Sequence, residues 1–200
     1  MKMIRLPVFL LVGLLAAACL PVTSKAPVGT TKGLGADTKL VGTWKLKLRT
    51  ADSTSVNWIH FLPAKDGSLT MILASTGTEN GKTEGDWMQF RGRSARLGEN
   101  LYLNVTVVSS NGEPDKSRIA KDSIILLYRY TGANTMTFYD GDEKKVAAAI
   151  AARKIAGTVE AGKDGDIILT APPDALDKFF QSKEAVSLFT TPYAVLTKVN

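Results

Sequence analysis

From residue 41 onward the chain alternates. Trp44, Leu46 and Leu48 interleave with Lys45, Lys47 and Arg49, a period of two that turns one strand face to a core and the other to water. Further strands are expected over 56–62, 68–75, 86–97, 101–109, 123–131 and 135–139. Leu101, Leu103, Val105 and Val107 share one side of their strand, with Tyr102, Asn104 and Thr106 on the other, which is expected to face water. Ile124 to Leu127 is apolar without a break, which predicts a strand covered on both faces. The connections carry hairpin chemistry: Lys65-Asp66-Gly67, Glu79-Asn80-Gly81, Leu97-Gly98-Glu99-Asn100 and Ser110-Asn111-Gly112-Glu113-Pro114. Turns at such short intervals imply an antiparallel meander rather than β-α-β units.

Two helices are expected in the C-terminal third. Asp140, with Glu143 three residues on, opens a segment to about Ile155, with Val146, Ala149 and Ile150 as its apolar stripe and Gly157 as its stop. Pro172-Pro173-Asp174 opens the second, with Leu176, Phe179 and Phe180 at helical spacing. Strands are expected around them at 166–170, 185–190 and 193–199. Eight to ten strands must hide their edges, so the expected fold is mainly β: a meander closing as a barrel-like sheet with two short helices.

The first forty residues have another character. Lys2 and Arg5 precede Leu6 to Ala18, a 13-residue run with no charged side chain. As a helix it spans about 20 Å, short of the roughly 30 Å of a hydrocarbon core, so it reads as a signal sequence. Leu15-Ala16-Ala17-Ala18-Cys19 resembles the lipobox of bacterial lipoproteins, with Ala16 where leucine is more usual. That resemblance implies cleavage before Cys19, acylation of its thiol and amine, and attachment to a membrane through the lipid. Leu20 is not the aspartate associated with inner-membrane retention, so the resemblance favours the periplasmic face of the outer membrane in a Gram-negative host. The expected organisation is a signal over 1–18, the lipidated cysteine with a flexible tether over 19–40, and one β-rich domain over 41–200. Pro21, Pro27, Gly29, Gly33 and Gly35 among Ser, Thr and Lys motivate the tether.

Gly42-Thr43-Trp44, at the start of the first long strand, resembles the G-x-W motif of lipocalin-like, or calycin, barrels. The resemblance implies a tryptophan closing one barrel end beneath a basic residue from late in the chain, a part that falls to Lys198. A second lipocalin motif is absent, and the helices precede the final strands rather than follow the barrel. The stretch from Gly157-Thr158-Val159 to Leu169-Thr170-Ala171-Pro172-Pro173 resembles uncharacterised bacterial envelope proteins.

Candidate chemistry is sparse. His60 is the one histidine, and no Gly-x-Ser-x-Gly elbow accompanies it. Asp140-Gly141-Asp142-Glu143 and Asp164-Gly165-Asp166 gather carboxylates, but Lys144 and Lys145 break a calcium-loop pattern, and caps or turns account for them. Trp87, Gln89, Arg91 and Arg93 share one strand side, a surface suited to an anionic ligand or polymer. With one cysteine there is neither an intrachain disulfide nor a multi-cysteine zinc site. No cofactor or metal motif occurs.

Charge sharpens the picture last. The chain carries +6, but Lys2 and Arg5 belong to the signal and Lys25, Lys32 and Lys39 outnumber Asp37 in the tether, leaving +2 on residues 41–200. A nearly neutral domain gives no ground for a nucleic-acid partner. The expected function is a binding or interaction lipoprotein facing the periplasm, for a small apolar or anionic ligand or an envelope protein. The alternative is a carboxylate-dependent hydrolase of envelope polymers.

Overall fold

A computed structural model describes residues 21–48, 56–79, 82–116, 121–160 and 166–199. Its strands are β1 (Thr23–Ser24), β2 (Gly42–Leu48), β3 (Val56–Pro63), β4 (Leu69–Glu79), β5 (Lys82–Leu97), β6 (Asn100–Ser110), β7 (Glu113–Pro114), β8 (Ser123–Gly132), β9 (Thr135–Tyr139), β10 (Gly157–Val159), β11 (Ile167–Leu169) and β12 (Pro192–Lys198). The helices are α1 (Glu143–Ala151), α2 (Pro173–Phe180) and α3 (Lys183–Ser187).

Eight strands close into an antiparallel barrel in the order β2-β3-β4-β5-β6-β8-β9-β12, and β12 pairs back onto β2. The alternation read from the sequence sets which side chains point inward. Trp44, Leu46 and Leu48 of β2 enter the barrel core beside Ile59 and Phe61 of β3, while Lys45 and Lys47 remain outside. In the unbroken apolar run of β8, Ile124 and Leu126 face the barrel interior, whereas Ile125 and Leu127 face a second core on its outer wall.

That second core explains the helices. The chain between β9 and β12 folds over the outer faces of β6 and β8, burying Val146, Leu176, Phe179, Phe180, Leu188 and Phe189 against Tyr102, Ile125 and Leu127. Tyr102 meets Phe180 edge to face at 5.2 Å, and its hydroxyl donates to the Phe180 carbonyl at 2.9 Å.

The face of β6 expected to meet water is covered by this second core instead, with Tyr102 0% and Asn104 4% exposed. Three further expectations are corrected. The segment 185–190, read as a strand, begins within helix α3: the Ser182 hydroxyl accepts from the Ala185 amide at 3.1 Å and caps it, so a third helix joins the two expected. The N-cap of α1 is Asp142 rather than Asp140, and α1 ends at Ala151 rather than about Ile155; Gly157 then starts β10.

The third concerns the expected tether. Cys19, Leu20 and the signal over 1–18 lie outside the described residues, as do 80–81 of one predicted turn and 164–165 of the second acidic cluster. From Pro21 onward, however, the segment is built into the domain. β1 pairs with β8 on one side and β11 on the other. Val22, Val28 and Leu40 are 1%, 0% and 0% exposed. Asn104 grips the Val28 backbone from both sides, accepting from its amide at 2.7 Å and donating to its carbonyl at 2.8 Å. Asp177, itself buried, accepts from Gly29 N, Thr31 N and the Thr31 hydroxyl at 2.5, 2.8 and 2.6 Å. Gly29 is required there: its φ is +94°, and a Cβ would lie 2.1 Å from that of Ala95. Each residue of this strap meets a different partner, which is why it shows no periodicity.

Candidate functional site

The barrel interior falls into two halves. In the lower half Leu40, Trp44, Phe61, Leu69, Leu103, Tyr128, Met136 and Leu196 are all 0–1% exposed. The 3-10 turn Thr38–Leu40 closes this end of the barrel, and beside it Asp37, Lys39, Arg96, Tyr128 and Tyr130 line an open groove of about 310 Å³. Trp44 Nε1 donates to the Leu40 carbonyl at 2.7 Å. The Lys198 ammonium lies 5.3 Å from the centre of the Trp44 ring and reaches the Lys39 carbonyl at 3.4 Å. Gly42 has φ +125°, and a Cβ there would press on the Lys198 side chain at 3.1 Å. The structure therefore brings Gly42, Trp44 and Lys198 together at one barrel end. Asp37 braces the same end, capping the turn through Lys39 N at 3.0 Å and accepting from the Tyr128 and Tyr130 hydroxyls at 2.9 Å each. Burial holds both phenols well above their usual range, and the adjoining carboxylate pushes the same way.

The upper half is hollow. Leu46, Leu48, Ile59, Met71, Met88, Phe90, Val105, Ile124, Leu126, Phe138 and Ala194 each keep 2–9% exposure because their inner surfaces line a cavity of about 110 Å³. Its lining is apolar apart from three residues, Asn57, Asp140 and Tyr193. The partly exposed Pro21, Leu73, Asp140 and Tyr193 form the rim. The Tyr193 phenol is held above its usual value, by burial first and by the negative Asp140 second.

Asn57 gives the cavity its chemical character. It pairs in register with Leu46 and Ser75, and its inward-facing side chain is 2% exposed. Its Oδ1 has no hydrogen-bond partner. A buried acceptor left open in this way costs about 1–3 kcal/mol. The walls suit a ligand with an apolar body, and an O–H or N–H that reached Oδ1 would complete its bonding. The sequence held a signal for Asn57, since it stands in the phase of Ile59 and Phe61. Nothing in the alternation distinguished the hollow half from the packed one.

The surface predicted from Trp87, Arg91 and Arg93 lies elsewhere. These side chains line the outer wall of β5, separated from the cavity by the inward-facing Met88 and Phe90. Trp87 and Arg91 are exposed, and Arg93 reaches Asp66 at 3.3 Å. Hydrogen bonds from Ser68, then Arg93, bring the Asp66 carboxyl down to about 2. His60 is also on the outer wall, with Nδ1 3.0 Å from the Thr43 hydroxyl. The acidic cluster is divided: Asp140 sits on the cavity rim, Asp142 caps α1 and Glu143 begins it. Among the described residues no three His, Cys, Asp or Glu side chains converge in a way that would hold a metal ion. A comparison with protein families, curated proteins and solved structures finds no match for this chain.

Proposed function

We propose that this protein is a membrane-anchored, periplasm-facing lipoprotein whose barrel binds a small, mainly apolar ligand in its open half. The observation that supports the reading is the apolar cavity of about 110 Å³ in the open half of the barrel, with Asn57 and its unpartnered Oδ1 beside it. Cavities of about 150 Å³ lined by aliphatic and aromatic groups take up benzene, whereas drug-sized ligands use about 300–1,000 Å³. The size therefore suits one small ring or one short alkyl chain. The lipobox-like Leu15 to Cys19 supports the anchoring half of the proposal.

A series of 1-alkanols tests the binding half. Each methylene moved from water into the cavity contributes about 0.8 kcal/mol, so affinity should rise about fourfold per carbon and level off once the cavity is full. Met88→Trp, which fills the cavity from β5, should abolish binding in a protein that retains its β spectrum. Unsaturable binding, or binding indifferent to Met88→Trp, contradicts the reading. For the anchor, Cys19→Ser should release the protein into the soluble fraction, and unchanged membrane association would refute lipidation.

A further inference from the structure

At the closed end of the barrel the inward side of β5 finishes on a charged residue. Met88, Phe90, Gly92, Ser94 and Arg96 fall on one side of the strand, because β side chains alternate. Arg96 pairs with Leu101 of β6, and Leu101 with Tyr128 of β8, so the three form one row across the sheet. The strap lies against this row. Gly35 exchanges both backbone hydrogen bonds with Ser94, at 3.1 and 2.6 Å, and Asp37 N donates to the Ser94 hydroxyl at 3.3 Å. Between strap and strands lies the open groove of about 310 Å³. Arg96 is exposed in it and makes no hydrogen bond or ion pair with the described residues. Lys39, also exposed, lines the strap side, its ammonium 5.7 Å from the centre of the Tyr130 ring. Asp37 is the one carboxylate in the lining, and its oxygens are engaged: Oδ1 accepts from Lys39 N, and Oδ2 from the Tyr128 and Tyr130 hydroxyls. Two cations against one carboxylate, 2 − 1, leave the groove one positive charge in excess.

We infer that this groove is a second binding site, for a small organic monocarboxylate with a ring-sized apolar body. The Arg96 guanidinium offers paired N–H donors in a plane that matches a carboxylate, and no described residue occupies them. Lys39 adds the second positive charge, and Leu101 with the Tyr130 ring gives the body an apolar wall. A single negative charge balances the groove. A phosphate monoester, with about −1.5 to −2 charge near pH 7, would exceed that balance and be repelled by Asp37. The volume lies at the low end of the roughly 300–1,000 Å³ of small-molecule sites. The groove shares no lining residue with the upper cavity, so the two sites stand or fall separately.

The probe is benzoate, titrated into the full-length protein by calorimetry at low salt. It should bind saturably, with neutral benzamide about tenfold weaker and phenyl phosphate no tighter than benzoate. Arg96→Met should lower benzoate affinity about tenfold, and Lys39→Met about threefold. Arg96→Lys keeps the charge without the planar pair of donors, so its affinity should fall between those of wild type and Arg96→Met. Arg96 and Lys39 are exposed, so all three variants should keep the wild-type β spectrum and Tm. The comparison of benzoate with benzamide needs no variant at all. No saturable benzoate binding, equal binding of benzoate and benzamide, tighter binding of phenyl phosphate, or unchanged benzoate affinity in folded Arg96→Met overturns the inference. The upper cavity is read by 1-alkanols, so the failure of one site is not mistaken for the failure of the other.

Discussion

Replacing Asn57 with leucine is expected to stabilise the free protein while weakening its ligand site. The Oδ1 atom is buried without a partner, in a residue 2% exposed, between Leu46 of β2 and Ser75 of β4. Leaving such an acceptor open costs about 1–3 kcal/mol, and a leucine of similar size gives that back while extending the apolar wall. After allowance for imperfect repacking, the net gain should be about 1–2 kcal/mol. For a domain of this size that raises Tm by about 2–8 °C. The assay is thermal and urea denaturation of the full-length protein beside 1-hexanol binding. The hydroxyl of hexanol loses its acceptor, so its affinity should fall about tenfold relative to a hydrocarbon of equal length. Stabilisation together with lost binding is the signature of a polar group kept for its ligand. A variant destabilised by 1 kcal/mol or more, or one that binds hexanol unchanged, refutes the reasoning.

Other expectations follow from the same geometry. Asp177→Ala removes the acceptor of three bonds from Gly29 and Thr31, and should cost about 3 kcal/mol in urea unfolding while opening residues 25–35 to limited proteolysis. A strap that stays protease-resistant contradicts its assigned role. Trp44→Ala should cost about 3–5 kcal/mol by emptying the floor, and Lys198→Met only about 0.5–1 kcal/mol, both read by chemical denaturation. Similar losses for the two would show that the cation, not the packing, closes the barrel. Burial raises the phenols of Tyr102, Tyr128, Tyr130 and Tyr193 above the unfolded value of 10.0. Raised folded values mean that the native state holds these protons more tightly, so their contribution is complete below pH 10.0 and disappears as pH climbs past it. Tm should thus fall from about pH 10 upward, in step with tyrosinate absorbance; phenols that ionise near pH 10 in a still-folded protein would show that they are not buried.

Most of the barrel was legible because strand alternation is a direct record of burial. The strand predicted at 135–139 is β9, and those at 101–109 and 123–131 differ from β6 and β8 by one residue at the ends that move. The strap was not legible, because Val22, Val28 and Leu40 each fill a separate site and their spacing has no period. Helix α3 was missed since Val186, Phe189 and Thr190 in 185–190 are residues that favour strands, and the Ser182 cap that decides the matter is a single hydroxyl. The cavity was invisible for a deeper reason. Alternation reports which way Met71 and Met88 point, but whether inward side chains meet depends on the closure of the whole barrel. Asn57 was the one local trace, a polar residue in an apolar phase. The outer Trp87 and Arg91 face drew attention through composition, yet it lies on the far side of β5 from the cavity.

The methionine methyl groups offer the most direct measurement. Met71 and Met88 line the hollow half, while Met136 is fully buried in the packed floor and serves as an internal control. With ¹³C-methyl-methionine protein titrated with 1-hexanol, the Met71 and Met88 resonances should shift saturably and show contacts to the alkyl chain, and Met136 should hold still. Unmoved Met71 and Met88 methyls, or all three moving alike without saturation, would contradict a ligand site in the open half of the barrel.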